Sequence, residues 1–220
     1  MPSLLRTVNG TTALFATASL NSKTEGILSA NFELVTNPRS GISDFILNIT
    51  QNACNLATIK LKSLSPTRSR LTASFGKQVK GISSANIVLT HKNSHVSGRG
   101  FINKKKVVLS QTHRECKDGC GCKGCGSSNG GLKVKFLDGT RLKICIDKTL
   151  KAALKRLFAK LSRILKKLGC NSGKGGAAPD PACLARCIRI STICQAACGI
   201  FAIFCIPACL VAQAICIATC

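Results

Sequence analysis

Short apolar segments separated by turn-forming residues fill residues 25–112 of this chain. The segments are rich in Ile, Val, Thr and Phe, and clusters of Asn, Gly, Pro and Ser stand between them. Segments of this length and composition are typical of β-strands, and the short breaks favour antiparallel pairing. The pattern predicts an antiparallel β-sandwich or barrel over 25–112. This module shows no catalytic constellation, so we expect no enzymatic activity.

The first 24 residues give a weaker signal. Arg6 is the only early cation, and the apolar run Thr12–Leu20 is short and interrupted by Thr. A secretion signal normally has a more positive start and a longer apolar core. Residues 1–24 are therefore expected to be either disordered or a weak export signal.

A small β-hairpin is predicted after residue 131. The segments Leu132–Leu137 and Thr140–Ile146 alternate between apolar and polar residues. They flank Asp138-Gly139, a dipeptide that favours the two-residue turn of a hairpin.

The helix predicted after this hairpin is both leucine-rich and strongly cationic. Apolar residues recur at helical spacing from Asp147 to Gly169, with Asp147 as the N-cap and Gly169 as the C-terminal stop. The leucines of its apolar face are Leu150, Leu154, Leu157, Leu161, Leu165 and Leu168. The cations on the rest of its surface are Lys148, Lys151, Lys155, Arg156, Lys160, Arg163, Lys166 and Lys167.

A purely cationic amphipathic helix suits an anionic membrane surface. Ordinary surface helices mix charge signs, because like charges one helical turn apart repel. On a membrane, the leucines can enter the interface while the cations bind lipid headgroups. Two alternatives stay open: a helix packed on the β-module with its basic face in solvent, and a nucleic-acid contact. The absence of Trp and Tyr for base stacking weakens the second alternative.

Eight cysteines recur in pairs along residues 183–220. The members of a pair are four residues apart, and the pairs repeat every eleven residues. Cβ atoms four residues apart on one helix lie roughly 6 Å from each other, whereas a disulfide needs about 4 Å. The spacing is palindromic, so a helical hairpin that turns at Gly199–Phe204 would instead pair cysteines across its two helices. The predicted disulfides join Cys183 to Cys220, Cys187 to Cys216, Cys194 to Cys209 and Cys198 to Cys205, one of many connectivities that eight cysteines allow.

The same stretch supports a second interpretation. No side chain from Ile190 to Cys220 is charged. That length suffices for one helix to cross a bilayer, with the preceding basic region on the cytoplasmic side. A membrane tail anchor is therefore the alternative, although Pro207 and the cysteine pairs count against a plain anchor.

A dense cluster of metal-binding residue types lies in the segment 113–131. Its members are His113, Cys116, Cys120, Cys122 and Cys125. Four such ligands could hold a tetrahedral zinc ion. However, a second Cys-x-x-Cys at finger-like distance is missing and the stretch is rich in Gly. The segment is thus either a metal knuckle or a linker with local disulfides, and no other cofactor is expected.

Charge and cysteine content extend these expectations to partners and location. The net charge of +24 points to anionic partners such as membrane lipids, cell-wall polymers or nucleic acid. Fifteen cysteines favour an oxidising destination, secreted or at the cell surface, or else metal binding.

The C-terminal part of the chain resembles a known class of antimicrobial precursor. A second linker spans 170–182, and Gly175-Gly176 within it precedes a compact, apolar, cysteine-rich segment. Residues 177–220 resemble the end of halocin-type bacteriocin precursors, and their Cys-x-x-x-Cys pairs are similar to those of plant α-hairpinins. The halocin resemblance implies that the C-terminal piece kills related cells and that residues 1–112 act as an immunity or pro-domain.

Taken together, the patterns predict an α+β protein. It comprises an N-terminal antiparallel β-module, a small β-hairpin with a cationic amphipathic helix over 132–169, and a C-terminal disulfide-rich helical hairpin over 183–220. The expected function is a secreted bacteriocin-like antimicrobial precursor that binds and perturbs anionic membranes and can self-associate. The alternative is a tail-anchored, zinc-binding basic scaffold or nucleic-acid-binding protein.

Overall fold

The structure consists of one antiparallel sheet and one helix in the residues it describes. It is a computed structural model that describes residues 4–8, 11–37, 42–92, 95–111 and 132–172. The ten strands lie in the sheet in chain order, each hydrogen-bonded to its sequence neighbours. The elements are β1 (Leu4–Val8), β2 (Thr11–Ser22), β3 (Gly26–Asn37), β4 (Ile42–Gln51), β5 (Cys54–Ser65), β6 (Arg68–Phe75), β7 (Ser84–Lys92), β8 (His95–Ile102), β9 (Lys105–Gln111), β10 (Leu132–Phe136) and α1 (Lys148–Ser172).

Alternating side chains give the sheet one buried face and one outer face. Along β2, the side chains of Thr12, Leu14, Ala16 and Ala18 are buried, while the residues between them are exposed or half-buried. Neighbouring strands keep the same alternation in register, so the buried positions that pair with one another face the same side. The buried side is the inner face of the sheet, and the opposite side is its outer face.

Two tight turns hold consecutive strands together with left-handed residues. Asn52-Ala53 joins β4 to β5 and Asn103-Lys104 joins β8 to β9, with φ of 49° and 65° in both pairs. Two successive positive φ angles are the signature of a type I′ turn, whose twist matches that of the strands. The Asn103 side chain reinforces its turn, since Oδ1 accepts a hydrogen bond of 2.7 Å from the backbone N–H of Ser83.

The core is the space between the inner face and α1. The helix lies against β2 and β3. Its buried side chains join those of the strands in one apolar cluster that runs from Leu14 on β2 to Phe136 on β10. A flat sheet from β2 to β10 would be about 38 Å wide, whereas a helix is only about 10 Å across. The sheet must therefore curl, because the helix alone cannot cover its inner face.

The segment between β10 and α1 covers the part of the inner face that the helix does not reach. Cys145 forms an isolated backbone bridge with Lys80, in the connection between β6 and β7. Leu142, Ile144 and Ile146 are partly buried against the core. The chain thus crosses the open side of the sheet before the helix begins.

The structure corrects the predicted α+β class. The described residues form a single ten-stranded sheet with one helix against β2 and β3, so residues 25–112 do not build a two-sheet sandwich. The sheet also includes β1 and β2, where a disordered segment or export signal was expected over 1–24. Strands β1 and β2 can join the sheet because the edge strand of the predicted module is free to pair with a further strand. Local sequence does not reveal that pairing.

Two finer expectations were also wrong. Leu132–Phe136 pairs with β9, and residues 140–146 do not return along it to form a hairpin. Extending the sheet edge satisfies the backbone of β10, while the apolar side chains of 140–146 gain more by covering the core. The helix also continues through Gly169 to Ser172. The linkers at 113–131 and 173–182 and the cysteine hairpin at 183–220 lie outside the described residues.

Candidate functional site

The apolar face of α1, which was expected to enter a membrane, lies inside the protein. Leu154, Leu157 and Leu165 have no exposed surface, and Leu161 and Leu150 are 1% and 3% exposed. Ala153 and Phe158 complete the buried stripe. Leu168 belongs to the helix, but its side chain lies outside the described ones. The predicted leucine face is therefore real, and in this conformation the sheet covers it.

The cationic face of α1 points into solvent. The exposed cations of the predicted set are Lys148, Lys151, Lys155, Arg156, Lys160 and Arg163. The Nζ atom of Lys160 donates a hydrogen bond of 2.8 Å to the backbone carbonyl of Ser19 on β2. Lys166 and Lys167 lie in the helix, with side chains outside the described ones. In the described part of the chain no salt bridge neutralises this face, so it presents a positive field to solvent.

Asp147 caps the start of the helix, as its sequence position predicted. Its Oδ1 accepts a hydrogen bond of 2.8 Å from the backbone N–H of Thr149. Its carbonyl accepts the first helical hydrogen bond, from Lys151. The hydroxyl and the backbone N–H of Thr149 lower the pKa of the Asp147 carboxyl. The cap thus sets where the cationic helix begins.

Glu25 anchors the same end of the helix to the sheet. The Thr149 hydroxyl lies between the Asp147 and Glu25 carboxylates and shares its single proton between them. Gln51 Nε2 donates a hydrogen bond of 3.0 Å to the other oxygen of the Glu25 carboxylate. A carboxylate near a helix N-terminus is stabilised by the helix dipole. With Lys160 held at Ser19, two points along α1 are tied to the β2–β3 hairpin.

A second cationic surface lies on the outer face of the sheet. We call it the basic sheet face. It comprises exposed cations on β5, β6, β8, β9 and β10, namely Lys60, Lys62, Arg68, Arg70, Arg99, Lys106 and Lys135. Their alternation with buried residues places all of them on the side opposite to α1.

The strand register aligns these cations into rows across the sheet. Lys62 lies directly opposite Arg70. Val88 lies between Arg70 and Arg99, and Val108 lies between Arg99 and Lys135. These partners form one row across six strands, with four cations and two half-buried valines.

Acidic residues of the outer face lie on β3 and β4, up to the border of the basic sheet face at β5. Glu33 on β3 and Asp44 on β4 are the outer-face acids of the described strands. The Asp44 carboxylate already accepts a hydrogen bond of 2.7 Å from the backbone N–H of Ser63. The basic sheet face is thus uncompensated over β6 to β10.

Sequence reasoning missed this surface, although a signal for it exists. Residues 45–114 carry twelve Lys or Arg and no Asp or Glu. Their scatter along several strands gives no local charge run, so the cluster appears only when the register is known. The signal that could have found it is the length of the acid-free interval.

Two large apolar side chains are exposed within the basic sheet face. Phe101 on β8 is 46% exposed and lies opposite Lys106 of β9. Leu137, just after β10, is 62% exposed, and its backbone N–H donates to the carbonyl of Lys106 at 3.1 Å. Lys106 therefore stands between two exposed apolar neighbours.

The cysteine and metal predictions lie largely beyond this site. Cys54 and Cys145 are free, exposed thiols. The described residues contain no group of three metal-ligating side chains, but the cluster at 113–125 and the eight C-terminal cysteines fall outside them. Within the described ranges, no helix is long and apolar enough to cross a membrane. The segment 190–220, considered as a tail anchor, is likewise outside.

Comparison with known proteins finds no relative of this chain. Neither protein-family models, nor curated proteins, nor solved structures give a match to the chain. The two cationic surfaces and the covered leucine face are therefore the features from which a function must be inferred.

Proposed function

We propose that this chain is a bacteriocin-like antimicrobial precursor whose β-sheet covers the apolar face of a membrane-active helix. The observation that carries the proposal is the division of α1 into two faces. Its leucine face is buried against the sheet, and its cationic face is uncompensated in solvent. This arrangement keeps the helix soluble until an anionic bilayer offers both faces a partner.

The free energy of burying the leucine face allows α1 to exchange the sheet for a membrane interface. Burying a leucine side chain is worth about 1.5–3 kcal/mol relative to water. Leaving the sheet for water would therefore be strongly unfavourable for the leucines of α1. Leaving it for a membrane interface is far less so, because the interface also removes those side chains from water. An anionic bilayer can shift the equilibrium toward the released helix.

The cations supply the preference for anionic lipid. Each Lys or Arg near a negatively charged leaflet gains about 1 kcal/mol. The exposed helix cations have no salt bridge in the described structure that would have to be broken first. Headgroup contact therefore adds directly to the stability of the membrane-bound form.

The remaining parts of the proposed precursor follow from the sequence. The apolar, cysteine-rich segment at 183–220 would add apolar side chains to the membrane contact, and the β-sheet would act as a pro- or immunity domain. Secretion and cell-surface action suit the cysteine content. No catalysed reaction is part of this proposal.

Dye release from vesicles tests the proposal with the full chain. We expect release from vesicles rich in phosphatidylglycerol and little from pure phosphatidylcholine. The triple variant Lys151→Gln, Lys155→Gln, Arg156→Gln should lower release at least tenfold, because three exposed helix cations are lost. Equal release from both lipids, or an unchanged triple variant, would contradict the role given to α1.

A matched charge control separates local contact from net charge. The triple variant Lys23→Gln, Lys77→Gln, Lys143→Gln removes the same charge from exposed turn and loop positions. It should release dye nearly as well as the wild type if direct contact of the helix cations with headgroups, and not total charge, drives binding.

A further inference from the structure

We propose that the basic sheet face is the surface by which the folded protein first docks on an anionic bilayer. The choice of a membrane as ligand rests on the proposed function. The location of the docking surface does not, because it follows from the register and exposure of the sheet. Docking and perturbation would then use opposite sides of the molecule.

The main cationic row has the dimensions of a lipid-contact strip. Neighbouring strands lie about 4.8 Å apart, so the row from Lys62 on β5 to Lys135 on β10 measures about 24 Å along the curved outer surface. Arg70 and Arg99 lie between these ends. The row can therefore reach several lipid headgroups at once.

A second row beside it carries the exposed apolar side chains. Its register runs from Lys60 through Thr72 and Asn86 to Phe101 and Lys106. Leu137 continues it beyond β9 through its hydrogen bond to the Lys106 carbonyl. Cations with exposed apolar neighbours suit a membrane interface, where the apolar groups enter and the cations stay among the headgroups.

Like charges that face each other on adjacent strands destabilise the sheet when no anion is bound. Lys62 and Arg70 lie directly opposite each other on adjacent strands. Like charges in that position destabilise a sheet, and an acid at either position would stabilise it. Asp44 lies beside the Lys62 end of the row. No described acidic side chain lies next to Arg70, Arg99 or Lys135 on the outer face. That part of the row therefore indicates an external anion.

The apolar positions favour lipid over single-stranded nucleic acid. Binding of unpaired bases uses aromatic rings on which the bases stack. Phe101 is the aromatic residue among the described outer positions of β5–β10, while Val88, Val108 and Leu137 are aliphatic. The chain has no Trp or Tyr. Aliphatic side chains suit hydrocarbon and not bases.

The covered helix adds a geometric argument. With its leucine face against the sheet, the described part of α1 exposes cations and the small residues Thr149, Ala152 and Ala159, and no large apolar side chain. The basic sheet face presents cations together with exposed apolar groups. In the folded conformation it is therefore the better first contact, and release of α1 becomes a later step.

Vesicle co-sedimentation of the full chain tests the docking surface. The probe is a set of vesicles of phosphatidylglycerol and phosphatidylcholine, with pure phosphatidylcholine as the neutral control. The variant Arg70→Gln, Arg99→Gln, Lys106→Gln should weaken binding about a hundredfold, because three headgroup contacts are lost. The turn-cation variant Lys23→Gln, Lys77→Gln, Lys143→Gln, of equal charge, should weaken it less than about fivefold.

The apolar contribution has its own variant. Phe101→Ser with Leu137→Ser keeps all charges and removes two exposed apolar side chains. We expect binding at least tenfold weaker, with a salt dependence like that of the wild type. Circular dichroism checks that each variant keeps the wild-type sheet content.

The outcomes distinguish this proposal from the proposed function. If the helix variant Lys151→Gln, Lys155→Gln, Arg156→Gln loses vesicle binding while the sheet variant keeps it, the docking proposal fails and the proposed function stands. Tighter binding to a mixed-sequence single-stranded DNA than to vesicles at equal phosphate concentration would overturn lipid docking. If the wild type does not bind anionic vesicles, both fail. Lost binding in the sheet variant with normal folding supports docking.

Discussion

Weakening the sheet beneath α1 should increase membrane perturbation if the sheet holds the helix back. Leu14 lies on the inner face of β2, has no exposed surface, and belongs to the strand that contacts α1. Leu14→Ala removes buried methyl groups from the sheet and leaves every residue of the helix unchanged. The variant therefore tests the covering without altering the membrane-active segment.

The expected magnitude follows from the cavity that the substitution leaves. Buried Leu→Ala changes typically cost about 3–5 kcal/mol, the sum of lost transfer free energy and an unfilled cavity. If about 3 kcal/mol of this falls on the contact between sheet and helix, the population with α1 released rises about a hundredfold. Release of dye from anionic vesicles should increase accordingly.

Leu71→Ala provides the matched control. Leu71 is equally buried but lies on β6, four strands away from β2. It should lower the free energy of unfolding by a similar amount, as measured in urea, with less effect on the helix contact. Hydrogen exchange followed by mass spectrometry should show faster exchange of α1 amides in Leu14→Ala than in Leu71→Ala.

Two results would refute the reasoning. If Leu14→Ala and Leu71→Ala release dye equally at equal stability, general unfolding explains the leakage and the helix contact has no special role. If Leu14→Ala releases less dye than the wild type, the folded sheet with its helix in place is the perturbing form.

Three further predictions concern the framework that holds the two surfaces. Lys104→Gly should stabilise the fold by about 1 kcal/mol in urea unfolding, because φ of 65° is unfavourable for a side chain but not for glycine; no gain would contradict the type I′ turn. Gly100→Ala should destabilise it by at least about 2 kcal/mol, since the new Cβ would lie 2.1 Å from the Asn86 carbonyl oxygen; an unchanged midpoint would contradict the close approach of β7 and β8. The lowered pKa of Asp147 means that its carboxylate stabilises the first turn of α1 above pH 3.8, and that this contribution is lost as the pH falls through the folded-state pKa. The protection factors of the first-turn amides, which compare exchange with that of unprotected amides at the same pH, should therefore fall on acidification in the wild type and not in Asp147→Asn, a neutral residue that still caps.

Local pattern determined the elements that depend on near neighbours. The helix from Asp147, its cap and its leucine stripe were predictable because helical spacing and capping act within a few residues. Antiparallel strands within 25–112 were predictable for the same reason, since short turns bring successive strands together.

Tertiary structure decided where those elements face. The amphipathic pattern does not show whether the leucine stripe packs on a membrane or on a sheet, because either partner removes the leucines from water. Only the approach of α1 to β2 and β3, more than a hundred residues earlier in the chain, shows that the sheet covers it. The edges of the sheet, at β1 and β10, were likewise set by long-range pairing.

The basic sheet face separates the two kinds of information most clearly. The acid-free interval 45–114 was determined by the sequence, and with it the excess of positive charge. The alignment of Lys62 with Arg70, and of Arg99 in the same row, was decided by strand register. A shift of one residue along a strand sends a side chain to the opposite face of a sheet. Charge alone therefore implied an anionic partner, and only the folded sheet placed the cations on one surface.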